Sequence, residues 1–215
     1  MDRRETTVGV GRERMSKLVL ASGSAIRRRL LEEAGLAIDA LPVPLDEDAL
    51  RETLDAQGMN ARGLALELAR AKARLLFELR SMPDGAYVLA ADQILELDGQ
   101  IFAKPANIEQ ARHHLTILRG RTHALHTAVT LYRDGAELWS HVETPRVSVR
   151  RFSDAFLERY LEEEGEAILS CVGCYRVEGW GIQLMDAIDG AFDAVLGLPR
   201  IAVLEALRQY GVLES

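Results

Sequence analysis

The chain is short of cysteine, aromatics, long apolar runs and positive charge, and three of these shortages exclude a class of protein. Two cysteines in 215 residues cannot build a disulfide framework or a four-thiolate zinc site. Cys171 and Cys174 form an isolated C-x-x-C ahead of an apparent strand, whereas a redox pair of this spacing ordinarily opens a helix. Two reduced, packed thiols in a cytoplasmic protein are therefore expected. No apolar stretch approaches the roughly 20 residues that a membrane-spanning helix needs, so no membrane partner is expected. Acidic residues outnumber Lys and Arg by 33 to 26, a net charge of −7. Binding of a nucleic-acid polymer, which depends on Lys and Arg neutralising phosphates, is not expected. A locally basic pocket for a small anion remains compatible with that balance. The aromatic content of 6% is low but still that of an ordinary globular protein. Repeats, low-complexity tracts and linkers are also missing. Residues 1–16 are polar and lack the apolar core of a signal peptide. They are expected to be a disordered extension, with Met15 as an alternative start, and residues 17–215 a single domain.

What is present begins with Lys17-Leu18-Val19-Leu20-Ala21-Ser22-Gly23-Ser24-Ala25-Ile26-Arg27. A short apolar run breaks into hydroxyl residues and enters helical spacing, the pattern of a strand feeding a helix whose unpaired amides attract anions. Ile38–Val43 reads as a second strand, followed by the acidic segment Asp46-Glu47-Asp48. Ala61 to Arg80 has helical periodicity. Tyr87–Ala91 is a strand, and Ile94–Leu97 and Ile101–Phe102 form a hairpin about Asp98-Gly99. Asn107 caps a helix to Leu118. His126–Tyr132 pairs across Asp134-Gly135 with one long strand, Glu137–Arg150. Ser153 caps a helix to Glu163, Ala191–Leu196 is a strand, and a last helix runs from Pro199 to Tyr210. The alternation gives an α/β class with a mixed sheet flanked by helices.

Charged residues at strand ends mark the candidate chemistry. Asp92 follows an apolar strand, where ligands of α/β proteins collect. Lys104 follows the hairpin, Lys72 lies in the preceding helix, and Ser22, Ser24 and Arg27 belong to the first mouth. Cations for phosphate oxygens beside carboxylates for a metal or a water suit hydrolysis of a phosphoanhydride. Asp92 would be the base, and Glu47 a second carboxylate. Each residue also has a plainer reading. The serines can simply cap a helix, Arg27 adjoins Arg28 and Arg29 on a solvated face, and Lys72 is of a type seldom buried. Asp92 can be a turn residue, and Glu47 part of an acidic surface run. His113, His114, His123 and His126 lack partners at metal-ligand spacing.

In order, Leu20-Ala21-Ser22-Gly23-Ser24-x-x-Arg27, Lys72-Ala73, Ala91-Asp92-Gln93 and Lys104-Pro105 resemble the Maf family of nucleoside triphosphate pyrophosphatases. So do Leu118-Arg119-Gly120-Arg121-Thr122-His123, Thr127-Ala128-Val129, Gly173-Cys174-Tyr175-Arg176-Val177-Glu178-Gly179, Ile188-Asp189-Gly190 and Val195-Leu196-Gly197-Leu198-Pro199. The resemblance implies an inosine-triphosphatase-like fold, an elongated mixed sheet with two lobes and a central cleft. It implies hydrolysis of a nucleoside triphosphate to monophosphate and pyrophosphate by a cytoplasmic homodimer, with Mg²⁺ or Mn²⁺ as cofactor. The catalytic residues it implies are Asp92, Lys104, Lys72 and Arg27. Ser22, Ser24, Gln93 and Glu178 would bind substrate, and Glu47 and Asp92 the metal. Many relatives read Ser-Pro-Arg-Arg where this chain has Ser24-Ala25-Ile26-Arg27, so one arginine is absent. Gln93 with Glu178 resembles the subgroup acting on 7-methyl-GTP, since a carboxylate and an amide match the donor edge of guanine. Two other outcomes stand beside this: a dTTP/UTP pyrophosphatase, and a nucleotide-binding regulator of cell division or septum formation without turnover.

Overall fold

The computed structural model describes residues 18–214, so the expected disordered extension lies outside the described residues. The strands are β1 (Leu18–Leu20), β2 (Ile38–Ala40), β3 (Tyr87–Leu97), β4 (Gln100–Phe102), β5 (Thr122–Arg133), β6 (Ala136–Glu143), β7 (Arg146–Val149) and β8 (Met185–Asp189). They form one sheet in the order β2-β1-β3-β5-β7-β8, with β4 added to β3 and β6 to β5. β1 runs parallel to β2 and β3, and the other pairings are antiparallel. The expected mixed α/β class is what forms. No helix among the described residues is long and apolar enough to cross a membrane.

Helices cover both faces: α1 (Ala25–Glu33), α2 (Glu47–Ala56), α3 (Ala61–Leu79), α4 (Ile108–Leu118), α5 (Asp154–Glu164), α6 (Phe192–Val195) and α7 (Arg200–Gln209). Side-chain oxygens of Ser24, Asp46, Asn60, Asn107 and Ser153 each accept from a first-turn amide, supplying the partner that a helix start lacks. Asp98-Gly99 and Asp134-Gly135 have positive φ at both positions, the backbone that suits a two-residue hairpin turn.

Four core clusters form among the described residues, and the two largest follow the long strands β3 and β5. One packs Leu20, Leu31, Leu89, Leu131, Val203 and Leu207 under α1 and α7. The other packs Phe102, Leu115, Leu118, Leu125, Val147 and Tyr160 under α4 and α5. The two expected lobes correspond to these cores. On α3, Leu64, Ala65, Leu68, Ala69, Ala73 and Leu76 are fully buried, a stripe at helical spacing against the sheet. Truncating a leucine there to alanine would cost about 2–5 kcal/mol.

Several expected elements are corrected. The Glu137–Arg150 strand is two strands. Pro145 lies between them: β6 pairs with Thr127–Arg133 of β5, and β7 with Thr122–Ala124. A proline has no amide to give a ladder, so the chain changes partner position there. Ala191–Leu196 contains the helical turn α6, not a strand. The acidic segment is the start of α2, where Glu47 and Asp48 suit the positive end of the helix. The second strand ends at Ala40 rather than Val43. The edge strand β8 was not anticipated, since its burial pattern is mostly exposed and gives no apolar run.

The feature that makes a site is a gap in one edge of β3. β5 covers one edge from Tyr87 to Glu96. On the other, β1 ends opposite Leu89, and β4 pairs only with Leu95–Leu97. The backbone between them is an open sheet edge inside the molecule.

Candidate active site

Buried backbone groups at an open edge need partners, and Arg27 supplies one. Its Nη1 donates to Ala91 O at 2.8 Å and to Ser22 Oγ at 3.3 Å, while Nε donates to Gly197 O at 2.8 Å. The guanidinium thus fastens α1 to the open stretch of β3 and to the loop after α6. Gly197 has φ +100° and lies against Arg27, so the approach needs a residue without a side chain. Burial lowers the Arg27 pKa, with Asp92 and Glu47 acting in the opposite sense. Ser24 Oγ caps α1 by accepting from Arg27 N, and Ser22 Oγ accepts from Ser24 N. The capping role is therefore real for Ser24, and both serines line the cleft that opens at the gap.

Strand alternation sorts the next residues. Val88, Ala90, Asp92 and Ile94 share the face toward α3, whereas Leu89, Ala91 and Gln93 face the other side. Lys72 occupies the α3 stripe, four residues beyond Leu68, so it points at the sheet. Lys72 is 7% exposed and Asp92 5%, which overturns the solvated reading of the lysine. Lys72 Nζ lies 2.6 Å from Asp92 Oδ1 and 2.8 Å from Glu47 Oε1. One ammonium group therefore draws together carboxylates from β3 and α2. Burial alone would lift the Glu47 carboxyl. The charge and hydrogen bond of Lys72, with Lys104 and Arg27 further away, hold it below the ordinary value.

The cleft has a volume of about 1000 Å³ and brings together every residue expected from the sequence: Ser22, Ser24, Arg27, Glu47, Lys72, Asp92, Gln93, Lys104 and Glu178. Lys104 is exposed on its rim. As for a metal, no group of three or more His, Cys, Asp or Glu able to hold one occurs among the described residues. Glu47 and Asp92 nonetheless offer converging hard oxygen donors. One or two carboxylates suit Mg²⁺ or Mn²⁺ when phosphate oxygens and waters complete the coordination. The donor set fits a cation that arrives with a phosphate ligand.

Gln93 departs from a simple base-reading role. Its Nε2 donates to Thr127 Oγ1 at 2.8 Å, Ala194 O at 2.9 Å and Val195 O at 3.2 Å. Carbonyls can only accept, and Thr127 Oγ1 donates its own proton to Ala194 O at 2.8 Å. The orientation of the amide is thereby fixed, with Oε1 left without a partner among the described residues. Glu178 is exposed, 3.6 Å from Arg176 Nε, and Arg176 also pairs with Glu164 at 3.1 Å. The turn that carries them is tight. A Cβ on Gly173 would meet the Tyr175 ring at 2.3 Å, and Cys174 has φ 56°.

Sequence reasoning named His123 and Thr127 without giving either a task. Thr127 is the partner directly opposite Gln93 in the β3–β5 register. His123, 1% exposed, places Nε2 2.6 Å from the hydroxyl of Tyr175, a cleft residue. Antiparallel pairing across β3 and β5 was the signal for Thr127, and no local pattern announces the histidine. The two cysteines are unbridged. Burial pushes the Cys174 thiol up to about 12 and raises that of Cys171.

A family model described as Maf-like protein matches residues 17–210. A nucleoside triphosphate pyrophosphatase from Gluconobacter oxydans is 54% identical over 93% of this chain and 98% of its own length. A 7-methyl-GTP pyrophosphatase from Mesorhizobium japonicum is 42% identical over 93% and 98%. Among solved structures, a HAM1 protein from Coxiella burnetii aligns with 64% of this chain and 75% of its own, at 18% identity and a TM-score of 0.38. Since the family match takes in both lobes and every residue of the cleft described above, the chain belongs to the Maf family.

Proposed function

We propose that the cleft hydrolyses a nucleoside triphosphate between its α and β phosphates, releasing pyrophosphate and a nucleoside monophosphate. The observation that carries this is the position of Lys72 between Asp92 and Glu47 at the open edge of β3. The named activity of the Gluconobacter oxydans relative supports it. Asp92 orients the attacking water and takes its proton as the water oxygen bonds to the α-phosphorus. The bond from that phosphorus to the bridging oxygen breaks, and pyrophosphate leaves with the electron pair. Lys72 holds both carboxylates in register, so their positions are set before substrate enters. Lys104, exposed at the rim, balances charge on the phosphates. Free oxygens of Glu47 and Asp92 would hold Mg²⁺ or Mn²⁺, which when bound withdraws charge from phosphoryl oxygens and acidifies a coordinated water.

The base end supports 7-methyl-GTP as substrate. Gln93 and Glu178 present acceptors there, Oε1 and the carboxylate, because the Gln93 amide nitrogen is held by Thr127 and α6, while the donors of Arg176 are engaged by Glu164 and Glu178. Guanine offers N–H donors along its edge, and methylation at N7 adds a positive charge that favours a neighbouring carboxylate. Uracil and thymine present two carbonyls around one N–H and would leave acceptors facing acceptors, which disfavours them at these two groups. The test is pyrophosphate release from a panel of unmodified and methylated nucleoside triphosphates with Mg²⁺ or Mn²⁺. Fastest turnover of 7-methyl-GTP is expected. Preference for dTTP or UTP would overturn the base assignment, and binding without release from any nucleotide would overturn the enzyme reading in favour of a regulator.

A further inference from the structure

Six cationic side chains line the cleft: Arg27, Arg29, Arg51, Lys72, Lys104 and Arg176. Most have their donors engaged by the protein. Arg27 holds the Ala91 and Gly197 carbonyls, Lys72 holds Asp92 and Glu47, and Arg176 holds Glu164 and Glu178. Arg29 runs along α1 toward Glu33. Lys104 has no ion pair among the described residues.

Arg51 is different again. Its Nε is buried with no hydrogen-bond partner. Its ion-pair partner is Asp48, 3.0 Å from Nη1, whose side chain is 80% exposed. A surface pair of that kind holds a guanidinium weakly, and an unpaired buried donor costs free energy until an acceptor reaches it. The resting position of Arg51 is one that an incoming oxyanion improves on. Its placement says which oxyanion. Arg51 follows Glu47 by four residues, one turn along the same face of α2, so it lines the cleft from the element that carries a candidate metal carboxylate and not from the base-end segment, Cys171 to Glu178.

We propose that Arg51 is a further substrate-binding residue, its guanidinium holding the two terminal phosphates that leave as pyrophosphate. A planar guanidinium can engage two phosphate oxygens at once, where an ammonium acts as a point charge. The inference rests on the pyrophosphatase reading above and extends it to a group with no other assigned role.

The experiment compares wild type, Arg51→Met and Arg51→Lys on the triphosphate turned over fastest. Product inhibition is measured separately with inorganic pyrophosphate and with the nucleoside monophosphate. For Arg51→Met, KM and the pyrophosphate inhibition constant should each rise roughly tenfold, with kcat within about threefold and monophosphate inhibition unchanged. Arg51→Lys should fall between. Unchanged pyrophosphate inhibition in Arg51→Met would overturn the proposal, and so would equal weakening of both products, which marks a general disturbance of the cleft. If the wild type releases no pyrophosphate from any nucleotide, the function reading fails on its own. Titration calorimetry with inorganic pyrophosphate on wild type and Arg51→Met then decides the role of Arg51: weaker binding to the variant supports it, and equal or absent binding overturns it.

Discussion

The ammonium of Lys72 touches the carboxylate of Asp92 at 2.6 Å, joining the buried stripe of α3 to the open stretch of β3. Both groups are buried, and Lys72 also pairs with Glu47, so removing Lys72 leaves two carboxylates without compensation. Lys72→Met is expected to destabilise the protein by about 3 kcal/mol at pH 7, with a smaller loss at pH 5, where the Glu47 carboxyl, no longer held down by Lys72, takes up a proton more readily. Urea unfolding at both pH values checks this. An equal loss at the two would mean that missing packing, not charge, is responsible.

Asp92→Asn keeps the shape of the side chain and removes its capacity to take a proton. The kcat for pyrophosphate release should fall by roughly 10²–10⁴, with a melting temperature close to wild type because Lys72 still has Glu47. Near-normal turnover would remove Asp92 from the mechanism.

Glu178→Gln retains an acceptor and loses the negative charge at the base end. It should reorder the nucleotide panel, with 7-methyl-GTP losing more than unmodified GTP, whose ring carries no positive charge. The kcat on the best remaining substrate should change by less than about threefold. An unchanged ranking would deny Glu178 a part in selecting the base.

His123 gives a pH prediction. Burial lowers its pKa from the ordinary 6.5 to about 4. The unfolded chain therefore takes up this proton first on acidification. Stability from the neutral imidazole is full above pH 6.5 and is lost as the pH falls toward 4, amounting to about 3 kcal/mol. In His123→Gln that part of the slope should vanish. Identical pH dependence of the urea midpoint in variant and wild type would contradict a buried neutral imidazole.

Ser24 and Lys104 were legible because they stand at element ends, whereas Asp92, expected just after a strand, lies in the middle of β3 and was legible only as a charge within an apolar run. The solvated alternative for Lys72 fails on its position: residue 72 continues the spacing of Leu64, Leu68 and Leu76, and that periodicity outweighs a lysine's preference for water. The division of the long middle strand was announced by Pro145. The gap on β3 was not legible, because the lengths of β1 and β4 depend on what each pairs with across the fold rather than on their own composition. For the same reason the fate of the Gln93 amide was hidden. Its partners Ala194 and Val195 lie about a hundred residues away and contribute backbone, which no side-chain pattern reveals.

The four-residue helix α6 is gripped from two directions. Gln93 and Thr127 take the carbonyls of Ala194 and Val195, and Arg27 takes that of Gly197 just beyond. Gln93 and Arg27, from different ends of the cleft lining, therefore hold a single short piece of backbone. Free energies of substitution at Gln93 and Arg27 should not sum, since the first change already releases the segment that the second would release. A substitution at Gln93, unlike one at Glu178, should therefore carry an effect on turnover with it, because it loosens the segment that Arg27 also holds.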